Sequence, residues 1–166
     1  MTKLLLAVHV LAAIITIGPV TVAASMFPPA ARRAAAAPDD PASLAGLATV
    51  RTLHRICRVY AGIAVAVPVF GLATANSLHV LGSAWLITSI ALTALAAAVL
   101  GAGILPRQGT ALAAVAALAG PAGGAADPAA VLRAARRLGM YTGLFNLLWA
   151  AVTVLMIIRP GSTTGA

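Results

Sequence analysis

The chain of 166 residues contains no glutamate, one lysine, one cysteine and only three aspartates. Each shortage excludes something. Charged residues make up 8% of the sequence, against roughly a quarter in a soluble globular domain, so there is too little charge to cover a water-facing surface. A soluble enzyme is excluded on that ground. A disordered tail is excluded because it needs low hydrophobicity and high charge. The lone Cys57, set between Arg55 and Arg58, rules out an internal disulfide framework and any two-cysteine metal motif. It reads as a small apolar filler. Aromatic residues are 4% and do not interleave with the arginines, so the net charge of +8 argues for no nucleic-acid partner.

What is abundant is apolar residue, at 61%, and it comes in long runs. Four segments reach the length of about 20 residues that a bilayer-crossing helix needs: about 4–27, 56–75, 85–105 and 139–158. No charge lies in the interior of any of them; Arg58 stands at the start of the second. Pro28-Pro29 is expected to end the first run, Pro106 the third, and Arg159-Pro160-Gly161 the fourth. The stretches 28–55 and 106–138 then read as loops. The expected fold class is an all-α membrane protein, a bundle of four transmembrane helices. The first run is expected to be retained rather than cleaved, because it is longer than the roughly 7–15 apolar residues of a signal core.

Positive charge sets the expected orientation. Nine arginines lie in or beside the two long connections: Arg32, Arg33, Arg51, Arg55, Arg58, Arg107, Arg133, Arg136 and Arg137. The opposite side holds only Lys3 and Arg159. Both long loops are therefore expected in the cytoplasm and both termini outside. Asp40-Pro41 reads as a helix start, from which the second helix protrudes beyond the membrane. Arg51, His54, Arg55 and Arg58 share one helical face, and Arg133, Arg136 and Arg137 repeat the device. The six arginines of these stripes read as contacts to anionic lipid headgroups, or as a solvated face, with His54 a surface group among them. The apolar stretch Thr110–Gly120 is too short to span. It is either an extension packed on the bundle or a flexible linker.

Small residues that allow close backbone approach are expected to carry the packing. The candidates are the Gly139–Gly143 pair and Ala97–Gly101, with Ala98–Ala102 beside it. Gly18-Pro19 and Pro68 are expected to kink their helices.

Chemistry is thinly provided. There is no Ser–His–acid set, no phosphate loop and no zinc motif, and no carboxylate lies in a span, which disfavours an ion-coupled transporter. His9 and His79 fall in the same leaflet and are the candidate ligands for haem b or a metal ion. In the alternative, His9 bonds a neighbouring helix, through Asn146 or Tyr141, and His79 sits in a wet loop. Three functions stay open: a structural or accessory subunit of a larger membrane complex or homo-oligomer, a haem- or metal-binding redox protein, and a small-solute transporter.

The runs Leu4–Ala13 around His9, Ala66–Leu72 around Pro68, Ala84-Trp85-Leu86 and Leu155–Pro160 resemble the predicted integral membrane proteins of domain of unknown function 2269. The resemblance covers all four segments. It implies a bacterial multi-pass protein of the cell membrane with a histidine in its first helix, and it brings no established activity. The alanine- and arginine-rich, lysine-poor composition resembles that of a high-GC actinobacterium. More loosely, His9 and Gly18 resemble positions in four-helix membrane proteins of the copper-resistance and protoporphyrinogen-oxidase type. That likeness implies haem held through histidines, though Ile17 stands where those proteins place tryptophan.

Overall fold

The computed structural model describes residues 2–36, 42–120 and 127–161. Among them there is helix and turn and no strand. The elements are α1 (Thr2–Ala36), α2 (Ala42–Ile63), α3 (Ala66–Ser77), α4 (Ala84–Ala98), a π-helical segment Val99–Ile104, α5 (Leu105–Leu118) and α6 (Pro128–Ile158). Because α2–α3 and α4–π–α5 each run on as one rod, they form four helices long and apolar enough to cross a membrane. The Asp40-Pro41 helix start lies outside the described residues. So does the Pro121–Gly124 step.

The helices are longer than the sequence reading allowed, and the prolines explain how. α1 does not end at Pro28-Pro29 but continues to Ala36. Pro28 has no N–H to give the carbonyl of Ala24, the acceptor one turn back. Thr142 of α6 supplies the missing donor, its hydroxyl lying 3.5 Å from that oxygen. At Pro106 the third helix likewise runs on, here by widening into the π-helical turn just before it. The carbonyl of Ala102, which Pro106 leaves without its usual donor, accepts instead from the Arg107 side chain. The stretches 28–55 and 106–138, read as loops, are thus largely helical where described. Thr110–Leu118 is the packed extension, not a linker. Before Pro68 the second rod is distorted but continuous, with a turn at Ala64-Val65 where the Val67 N–H turns to the Ala64 carbonyl at 3.0 Å.

α1 is the central helix, packed on α2, α3 and α6; α6 also packs on α4, and α2 on α5. The core between them holds Val20, Phe27, Val50, Ile104, Leu138 and Phe145. The outer face is equally apolar, with Ile14 65%, Met140 76%, Leu147 68% and Ile157 75% exposed.

The expected packing glycines are a correction. Gly139, Gly143, Ala97 and Gly101 all face outward, and a Cβ added at any of the three glycines would meet nothing within 4 Å. An alanine-rich chain offers many small-residue pairs, and spacing alone does not say which face is inward. The close approaches lie elsewhere. A Cβ on Gly46 would stand 3.0 Å from that of Ala34, and one on Gly103 would stand 3.2 Å from the Tyr141 ring.

Candidate functional site

His9 is half-buried on α1 and faces α3. Its Nδ1 lies 2.9 Å from the carbonyl oxygen of Val67. A carbonyl only accepts, so Nδ1 carries the proton and, in the neutral ring, Nε2 keeps its lone pair. Gly71, one turn on, leaves room for the imidazole: a Cβ there would come within 2.9 Å of the ring. Neither Asn146 nor Tyr141 is the partner. Asn146 instead gives its side-chain N–H to the Ser25 hydroxyl.

His79 is not brought to His9. It follows Gly71 by eight residues, about 12 Å of helical rise, and its side chain is exposed. Its backbone is left-handed, with φ 57°. The Val80 N–H reaches the Ala75 carbonyl and the His79 N–H that of Asn76, at 3.2 and 3.1 Å. This is the Schellman closure of a helix C-terminus, so the observed role of His79 is to end α3. No cluster of three or more His, Cys, Asp or Glu side chains exists among the described residues.

His54 is not the free surface group its stripe suggested. It is half-buried, and its Nδ1 lies 3.2 Å from Oε1 of Gln108, whose Nε2 in turn donates to the Cys57 sulfur at 3.5 Å. Gln108 and Cys57 are fully buried. The three side chains form a polar bridge between α2 and α5. A single glutamine in an apolar run was the available signal for it.

Nine of the ten arginines gather at one end of the bundle, and Arg159 stands at the other. Arg58, Arg107 and Arg137 each stand roughly 20 residues from the far ends of their rods, about 30 Å of rise and the thickness of a bilayer's hydrocarbon core. Arg51, Arg55, Arg58, Arg133, Arg136 and Arg137 are all exposed. Two open recesses form among them. Arg51, His54, Arg55, Arg58 and Val59 line one of about 400 Å³. The other, of about 330 Å³, lies between α5 and α6 and is lined by Arg107, Thr110, Ala130, Arg133, Ala134 and Arg137.

Arg107 is the residue that spacing missed, because it belongs to no stripe. It is half-buried. Its Nη1 donates to the carbonyls of Gly103 and Ala102 at 2.8 and 3.3 Å, and its Nη2 donates to the Tyr141 hydroxyl at 3.2 Å. The guanidinium also stacks 4.2 Å from the centre of the Tyr141 ring. The charge is therefore held in one place.

We compared the chain with family models, curated proteins and solved structures. It matches none of them.

Proposed function

We propose that this chain is a small multi-pass protein of the bacterial cell membrane, acting as a structural or accessory subunit. Its arginine end lies in the cytoplasm and both termini lie outside. One observation carries the structural role: each of the four buried hydroxyls among the described residues is engaged by a backbone carbonyl. Thr16 donates to Ala12, Thr74 to Phe70, Ser89 to Trp85 and Thr142 to Ala24. A hydroxyl held this way uses its donor within the bundle and offers none to a substrate. The clustering of arginines about 30 Å from the opposite ends supports the orientation, since the inner leaflet is anionic. Its partners in this reading are those headgroups, together with a larger membrane complex or further copies of itself. The assignment to the family of domain of unknown function 2269 belongs to the same reading and rests on the runs around His9 and Pro68.

A second reading has one observation in its favour. His9 donates Nδ1–H to a backbone carbonyl and keeps Nε2 free, the arrangement by which proteins orient a metal- or haem-ligating imidazole. The absorption spectrum of protein purified in mild detergent from its own membrane separates the two. A colourless protein, migrating in an assembly larger than the 16.5 kDa chain, is the expected result. A Soret band that disappears in His9→Ala would replace the first reading with the second.

A further inference from the structure

We propose that the recess between α5 and α6 binds the phosphate of an anionic phospholipid headgroup, with Arg107 as its fixed anchor. The proposal rests on the reading that this end of the bundle lies at the headgroups. Three guanidinium groups from two helices line one recess of about 330 Å³. Among the described residues one carboxylate stands near them, Asp127, paired with Arg133 at 3.1 Å with both side chains mostly exposed. Arg133 and Arg137 are one turn apart on α6, a like-charge spacing that costs stability unless an anion lies between them. Ala130 and Ala134 keep the floor low. The Thr110 hydroxyl is turned away, donating to the Pro106 carbonyl at 3.2 Å, so the donors on offer are guanidinium N–H groups.

Arg107 makes this a formed site rather than a patch of mobile charge. Two carbonyls and the Tyr141 hydroxyl take three of its five N–H groups. They leave Nε–H and one Nη2–H without an acceptor among the described residues. Guanidinium N–H groups suit a phosphate's oxygens. Because the guanidinium is already immobilised, little side-chain freedom is lost when an anion arrives.

The occupant is a lipid rather than free phosphate because of what continues below the arginines. At alternating spacings of four and three residues along α6, the stripe Arg133, Arg137 runs on as Met140, Leu144 and Leu147. These three are 76%, 44% and 68% exposed. A headgroup on the arginines places its acyl chain along that apolar track. Zwitterionic phosphatidylcholine carries a cation that the same arginines repel.

The test is native mass spectrometry of the full chain in detergent, titrated with phosphatidylglycerol or phosphatidylcholine. Phosphatidylglycerol is expected to bind preferentially, and Arg137→Gln to weaken it about fivefold, as one arginine near an anionic headgroup is worth. Arg107→Gln should weaken it more; if that variant does not fold, Arg137→Gln decides alone. Arg55→Gln and Arg58→Gln, in the other recess, should weaken phosphatidylglycerol binding less than Arg137→Gln does. Equal binding of the two lipids would overturn the proposal. So would an equal loss in Arg55→Gln, which would mean diffuse charge only. Inorganic phosphate displacing phosphatidylglycerol with the same arginine dependence would show a free-anion site and overturn the lipid assignment. Binding in micelles does not depend on which end faces the cytoplasm, so the orientation stands or fails separately.

Discussion

His9 donates its Nδ1–H to the carbonyl of Val67 at 2.9 Å, so one side chain ties α1 to α3 just beyond the turn before Pro68. Gly71 makes room for the ring, and the tie sets a first expectation. Gly71→Ala puts a methyl 2.9 Å from the imidazole and should cost about 1–3 kcal/mol of overpacking. His9→Ala should cost about 1 kcal/mol for the lost interhelical bond. In the double variant the alanine at 71 has nothing to strike, so the two costs should not add. Thermal melts in detergent measure all three.

His79 ends α3 in the left-handed conformation, and a residue without a Cβ does that more easily. His79→Gly should therefore leave stability unchanged or raise it by up to about 1 kcal/mol. His79→Val should lower it by about 1 kcal/mol or more, because a β-branched side chain resists positive φ. A histidine needed as a ligand would instead show loss of bound cofactor in both variants.

The outward-facing glycines give a paired expectation. Gly139→Leu and Gly143→Leu should melt like the unsubstituted chain, since a Cβ at either would meet nothing within 4 Å. Gly46→Leu and Gly103→Leu should be destabilised by several kcal/mol, because Ala34 and Tyr141 already occupy the space. The reverse ranking would mean that the packing faces have been assigned the wrong way round.

These glycines mark where the sequence stops being legible. The four apolar rods follow from composition and run length, because a helix must satisfy its own backbone in lipid. Rod ends do not follow so simply, since a proline ends a helix only when nothing replaces its missing N–H. Thr142 replaces it for Ala24 and Arg107 for Ala102, and both lie far from their acceptors in sequence or outside any periodic pattern. The arginine end was readable because charge counts need no geometry. The facing partners of His9 and His54 were not, because an isolated polar residue in an apolar run points in a direction that spacing leaves open.

Gln108 bridges His54 and Cys57 inside the α2–α5 contact. Gln108→Leu and His54→Leu should each destabilise the chain, and a double-mutant cycle should return a coupling of about 0.5–1.5 kcal/mol. A coupling near zero would mean the contact is geometric only.

The orientation is the central claim, and labelling of single cysteines in intact cells tests it most directly. In a Cys57→Ala background, Gly82→Cys lies in the exposed turn between α3 and α4, and Ala113→Cys on the exposed face of α5. A membrane-impermeant maleimide added from outside should label Gly82→Cys at once, and should label Ala113→Cys only after the cells are opened. Labelling of Ala113→Cys in intact cells with Gly82→Cys protected would invert the protein in its membrane and contradict the account.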